Sequence, residues 1–397
     1  MSKHECRACR GKSGDIVLDL GEQPASDHFP KYDEPGPDPV YPLQMWLCSS
    51  CGLAQLLTDP TVPQEPRGTE PAALVAQAED AVRRVAAAGL LPDGGRVTEY
   101  GSPHGGSWLG LLTGRNLSAV DRSEEADVVL DCFGMMHVAD QAAALEERAA
   151  RLAPGGVLLL QYHSLDTIVR LGQWNALRHG HYAYYSTTAL VTMLAAAGLC
   201  PRTAWSFDLY GGTVLLAACR ETDDAATGPV GPGDTLSALL AAEQRSGITS
   251  SAALLGLQSD ATARAVALHD WLAGMHGAGK TVFGYGAASR AVALLRTARV
   301  DRDLLPAVAD ASPAKHGRRM PGTAIPVISP AELTAEPPDA VLVFVPDLMA
   351  EVRKTCPEIE ASGGEWVDAA SLLLGRADQC PQSGQAASPG GTDAANR

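Results

Sequence analysis

Short apolar runs, each closed by glycine or by a polar turn, recur along most of this chain. Arg96–Gly101 (RVTEYG), Asn116–Asp121 (NLSAVD), Asp127–Gly134 (DVVLDCFG) and Gly155–His163 (GGVLLLQYH) have the length and the Val/Leu content of strands. The last follows the turn Ala153-Pro154-Gly155-Gly156 and is apolar enough to be a buried strand. Helical patterns, Ala72–Ala88 and Gln141–Leu152, fall among them, and Thr213–Cys219 (TVLLAAC) is a further apolar strand. After Gly228–Gly233 and a long helical stretch, the pattern restarts: GKTVFGYGAASRAVALL reads as strand, glycine turn and helix. PAVADAS, IPVIS and DAVLVFVP supply later strands. Strands alternating with helices imply two α/β sandwiches with mostly parallel strands.

These patterns leave both ends over. The first 58 residues contain the strand-like Asp15–Gly21 (DIVLDLG), and Asp59–Pro71, with four prolines, reads as a linker. Gly375–Arg397 is rich in Gly, Ser, Gln and Ala and reads as a disordered tail. The expected fold class is therefore α/β, a small N-terminal module followed by two Rossmann-like doubly wound domains. The boundaries are 1–58, 72–220 and 234–374, with the tail from 375 to 397.

Charge and composition narrow the function. The 397 residues are enough for two or three domains, and a formal net charge of −15 argues against a nucleic-acid-binding face. Anionic small ligands stay open, because glycine loops and helix N-termini hold phosphates locally. The opening MSKHECRACR has no apolar leader core, and no run of 18 apolar residues occurs, so no membrane partner is expected. Nine cysteines, four of them in metal-like spacing, fit a reducing cytoplasm. Cys132, Cys200, Cys219, Cys356 and Cys380 show no pairing pattern and read as apolar fillers.

Those four are Cys6-x-x-Cys9 and Cys48-x-x-Cys51, two knuckles separated by 38 residues. Each presents two thiolates at the spacing one tetrahedral Zn²⁺ requires, and together they close a four-sulfur site. With no open position, such a site supports folding and does no chemistry. A second candidate is the small-residue loop Glu99-Tyr100-Gly101-Ser102-Pro103-His104-Gly105-Gly106, which lets backbone N–H groups approach a polar ligand. Asp121 ends the next strand, where a carboxylate can take both hydroxyls of a ribose. A plain tight turn explains the loop as well.

In order, the chain shows the Cys pairs, an E-x-G loop (Glu99–Gly101), H-V-x-D (His137–Asp140), L-x-P-G-G-V (Leu152–Val157) and H-x-H-Y-x-Y-Y-S (His179–Ser186). YGAA (Tyr285–Ala288) and PGTAIPV (Pro321–Val327) follow. Residues 1 to 370 thereby resemble the three-domain sugar C-methyltransferases, which methylate nucleotide-linked 4-keto-6-deoxysugars in antibiotic pathways. The resemblance implies S-adenosyl-L-methionine as methyl donor, a structural zinc, and a C-terminal domain that helps hold the nucleotide-linked sugar. It implies Glu99, Gly101, Gly105 and Asp121 at the cofactor, His181 as the base that removes the proton beside the ketone, His137 at the enolate oxygen, and His179 as an orienting neighbour. A monomer or small homo-oligomer is expected.

The chain departs from that family in three places. Its loop reads Arg178-His179-Gly180-His181, with Arg178 for the family's tyrosine and Gly180 for its glutamate. Pro103-His104-Gly105 replaces the family's Asn-Asp-Gly, and only five residues, Arg122–Ala126, separate Asp121 from the next strand, where a helix and strand are usual. Two alternatives follow: a methyltransferase with another small-molecule acceptor, or a non-methylating nucleotide-sugar-binding accessory protein with a truncated cofactor site.

Overall fold

The computed structural model of the chain describes residues 4–61, 70–101, 106–221 and 234–373. The expected tail lies outside them. In the N-terminal module, β1 (Gly14–Pro24), β2 (Val40–Cys48) and β3 (Ala54–Leu56) form an antiparallel sheet. β1 contains the run read as Asp15–Gly21.

The central sheet begins with β4 (Arg96–Gly101), β5 (Ser118–Ala119), β6 (Ala126–Cys132) and β7 (Leu152–His163), all parallel. β6 and β7 are buried almost throughout, as the apolar runs require of strands covered on both faces. Next, β8 (Ala183–Tyr184) leaves this domain and pairs with β3 of the N-terminal module. β9 (Leu199–Phe207) and β10 (Thr213–Arg220) then close the central sheet in antiparallel fashion, giving the order β5-β4-β6-β7-β10-β9. On one side this sheet ends at the two-residue β5, as the short connection from Asp121 predicts.

In the C-terminal domain, β11 (Val282–Tyr285), β12 (Val308–Ala309), β13 (Val327–Ile328), β14 (Ala340–Val343) and β15 (Glu365–Asp368) are parallel, in the order β13-β12-β11-β14-β15. The chain moves outward from β11 and then switches to the other side at β14, which makes the sheet doubly wound. The central sheet switches likewise between β4 and β6. Ligands of open α/β sheets bind beyond the carboxyl ends of the strands at such switch points.

Packing ties the modules together. Val17, Leu18, Phe29 and Met45 of the N-terminal module share one core with Trp174, Leu268, Val292 and Leu342. The helix Gly256–Gly277 supplies Leu257, Ala261, Ala265, Leu268 and Leu272 to it, a stripe at helical spacing. Cys6, Trp46, Cys48 and Leu53 pack instead with Tyr100, Val129 and Leu160 of the central domain. The N-terminal module is thus wedged between the two larger domains.

Candidate active site

The two knuckles meet as expected. Cys6 Sγ lies 3.6 Å from Cys51 Sγ and Cys9 Sγ 3.5 Å from Cys48 Sγ, with all four sulfurs within 4.8 Å of one another. Sulfurs around a tetrahedral zinc with bonds of about 2.3 Å stand about 3.8 Å apart, so the cluster fits that ion. Backbone N–H groups of Gly11 and Ser50 point at Cys9 and Cys48 sulfur, 3.4 Å in each case, a supply of hydrogen bonds to thiolate. The site also braces its surroundings. Arg7, one residue beyond Cys6, accepts hydrogen bonds at its carbonyl from Gln141 and Ala142. Its guanidinium stacks on the Tyr182 ring at 4.7 Å.

At the carboxyl edge of the central sheet, Glu99 accepts hydrogen bonds from Ser107 Oγ (2.6 Å) and the Trp108 amide (2.7 Å), tethering the loop after β4. Gly101 ends that strand; Gly105 lies outside the described residues. Asp121 is exposed, and the Ser123 amide and hydroxyl at its Oδ1 hold the carboxyl below its usual range. An ionised acid at the end of the strand beside β4 suits ribose hydroxyls. Arg122 donates to the Glu99 carbonyl at 2.9 Å and lies over the Tyr100 ring, at the sheet edge left short after β5.

A cavity of about 270 Å³ opens between the carboxyl ends of the central and C-terminal sheets. His137 and His181 both line it, with ring centroids 4.6 Å apart and planes nearly perpendicular. His137 closes a 3-10 turn, Met135–His137, that follows β6. The buried Asp131 carboxylate accepts from the Gly134 and Met135 amides at 2.8 and 2.9 Å, and Arg148 donates to it at 2.6 Å. Gln141 Nε2 donates to the carbonyls of Met135 and Val138, and Tyr185 bonds Gln141 in turn. The turn carrying His137 is therefore fixed from several sides.

His181 sits on the loop that leads into β8. Gly180 has φ +81°, a left-handed conformation that glycine adopts freely, and its carbonyl meets His137 Nδ1 at 2.9 Å. Its amide donates to Asp59 at 2.6 Å, so an N-terminal carboxylate approaches the residue where the family has a glutamate. Arg178 Nε lies 2.8 Å from His181 Nε2. His179 turns away from the cavity: it is buried beside Tyr41 and 3.3 Å from the Pro42 carbonyl, and burial lowers its pKa.

Three cavity groups escaped the sequence reading. His163, the last residue of β7, is held neutral chiefly by burial, which lowers its pKa to about 3. Its place at the carboxyl end of a parallel strand was the available signal. Arg290, in the helix Ser289–Thr297, has its guanidinium over the Tyr210 ring at 5.4 Å, and among the described residues no carboxylate lies within 4 Å of it. Burial, and then the charge of Arg178, lower its pKa. Lys315 spends its ammonium on the Ala287 carbonyl at 2.8 Å, with Asp310 at 3.7 Å.

Family models divide the chain in the same three-part order. A zinc binding domain matches residues 6–64, a methyltransferase domain 74–203 and a C-methyltransferase C-terminal domain 208–370. The chain belongs to the three-domain C-methyltransferase family. It is an S-adenosylmethionine-dependent methyltransferase, and zinc is its second cofactor. A relative, C-methyltransferase NovU of Streptomyces niveus, is 24% identical over 91% of this chain and 94% of its own.

Among solved structures, magnesium protoporphyrin IX methyltransferase from Synechocystis PCC 6803 is 14% identical, over 39% of this chain and 90% of that one, with a TM-score of 0.28. N-methyltransferase NodS from Bradyrhizobium japonicum WM9 is 13% identical, over 37% and 88%, also at 0.28. At such scores the likeness says nothing further. Among the described residues no helix is long and apolar enough to cross a membrane.

Proposed function

We propose that this C-methyltransferase acts on a nucleotide-linked keto-deoxysugar in the specialised metabolism of the cytoplasm, methylating a carbon beside the ketone. The observation that carries the reading is Arg290, a guanidinium inside the cleft whose contact is an aromatic face and not a carboxylate. Arg290 is half-buried, Asp347 offsets its charge only from a distance, and a ligand phosphate would give the guanidinium a direct partner. Arg178 brings a second guanidinium to the same cavity. A diphosphate linking nucleoside and sugar suits two such groups.

The histidine pair fits the chemistry of such a substrate. A ketone acidifies the neighbouring C–H, so removing that proton needs a base and a donor to the developing oxyanion. S-adenosylmethionine, when bound, supplies the methyl group as an electrophile. Residues of the chain provide the rest: His137 and His181 at the reacting carbon and oxygen, and Tyr184 and Tyr185 as buried walls of the cavity.

Nucleoside-diphosphate 4-keto-6-deoxysugars incubated with the protein and S-adenosylmethionine are expected to gain one methylene in mass. If none of a panel gains it, and none binds by calorimetry, the sugar reading fails and another small acceptor takes its place.

A further inference from the structure

We propose that Phe133 and Tyr210 form the sugar subsite of the cleft, the aromatic surface against which the sugar half of the substrate lies. This deepens the keto-sugar reading and rests on it. Among the described residues, five that are not glycine have a left-handed backbone. Asn116 and Arg299 do so where the helices Leu109–Thr113 and Ser289–Thr297 end, a common way to close a helix. Arg10 does so just after the first cysteine knuckle. Phe133 and Tyr210, at φ +58° and +55°, are the remaining two, and both line the cavity.

An aromatic residue in that conformation is strained and persists only where its surroundings hold it. They do so at both places. The Tyr210 amide donates to Asp347 at 3.0 Å, and its carbonyl accepts from Gln173 at 3.2 Å. Gly211 and Gly212 follow, and a Cβ on either would run into Gln173 or Thr167, so the turn is closed in. The Phe133 amide donates to the Gln161 carbonyl at 3.1 Å, and Phe133 makes an isolated antiparallel bridge with Gly101. Glycine would take either backbone position freely. What the strained backbone achieves is the placing of two rings, which meet edge to face with centroids 6.2 Å apart.

Their neighbours give the pair its meaning. The Arg290 guanidinium lies over Tyr210 at 5.4 Å, and Gly101, beyond Phe133, belongs to the loop expected at the methyl donor. Phe133 follows β6, whereas Tyr210 is bonded to Asp347 in the turn after β14, so the pair spans the switch points of both sheets. From Arg290 through Tyr210 and Phe133 to Gly101, the contacts run in the order phosphate, sugar, donor. A nucleotide-linked sugar attached through its diphosphate presents its parts in that order. A 6-deoxysugar carries a methyl group in place of its outermost hydroxyl, and such C–H surface packs on aromatic rings as other apolar groups do.

Calorimetry without methyl donor tests this, using a nucleoside-diphosphate 4-keto-6-deoxysugar and the bare nucleoside diphosphate. Phe133→Leu and Tyr210→Gly should each weaken the keto-sugar nucleotide by roughly tenfold, while affinity for the bare diphosphate stays within about twofold of wild type. Glycine keeps the turn at position 210, so a loss there reports the ring and not the backbone. Equal losses on the two ligands, or no loss on the keto-sugar nucleotide, overturn the subsite alone. Should one variant lose its cooperative melting transition, the other decides by the same criterion. A keto-sugar nucleotide that does not bind the wild type overturns the substrate reading, and the subsite with it.

Discussion

Arg178 Nε stands 2.8 Å from His181 Nε2, three residues along the same loop. The loop is built to keep it there. The Arg178 amide donates to the Tyr184 hydroxyl at 3.0 Å, and that buried tyrosine donates in turn to the Ala176 carbonyl. The backbone turn at Gly180 meanwhile delivers its carbonyl to His137. One short segment thus contacts a ring nitrogen of each histidine.

Arg290→Ala should weaken binding of thymidine or uridine diphosphate by roughly tenfold to a hundredfold, the range expected when a charge-assisted hydrogen bond is lost. Isothermal titration calorimetry measures it. Because among the described residues no carboxylate lies within 4 Å of this half-buried guanidinium, Arg290→Leu should at the same time hardly move the melting temperature of the ligand-free protein. Unaltered diphosphate affinity in both variants would remove the phosphate from this part of the cleft.

Cys6→Ser or Cys48→Ser should lower zinc content and soluble yield together, because binding energy at a closed four-thiolate site is folding energy. Elemental analysis of the wild type should give one zinc per chain. Since Arg7 couples the knuckle to Gln141 and Tyr182, partial loss of metal should also increase protease cleavage in the 178–186 loop.

Asp121→Ala should weaken S-adenosylmethionine on the order of tenfold, through loss of a bidentate contact to the ribose hydroxyls. The side chain is exposed and among the described residues bonds only its own turn, so the melting temperature should hardly move. Calorimetry with S-adenosylmethionine or its demethylated product separates the two effects. An affinity equal to wild type would place the ribose elsewhere along the shortened sheet edge.

Acid should destabilise the fold through His163. Its pKa in the folded chain is lowered from 6.5 to about 3, so the unfolded chain binds the proton more readily. Its contribution is complete above about pH 6.5 and is lost as the pH falls from there toward 3, with a slope of at most about 1.4 kcal/mol per pH unit. Denaturant midpoints measured across that window should fall less steeply in His163→Gln. Equal slopes would show that His163 is not a source of the acid sensitivity.

Much of this protein was legible as a string of residues because the signals are local. Two Cys-x-x-Cys knuckles state a metal's ligand set outright, and the apolar runs Asp127–Gly134 and Gly155–His163 became β6 and β7 because only strands covered on both faces carry such runs. The five residues after Asp121 likewise foretold a sheet that stops at β5. Tertiary structure alone decided the site. Arg290 meets Arg178 across a domain boundary, β8 pairs with β3 far back in the chain, and Asp59 reaches Gly180 from the N-terminal side. No periodicity records such meetings, because they depend on how whole sheets dock. The same holds for the histidines: His137 and His181 are present in the sequence as equals. Only the folded chain puts a carbonyl 2.9 Å from one ring and a guanidinium 2.8 Å from the other.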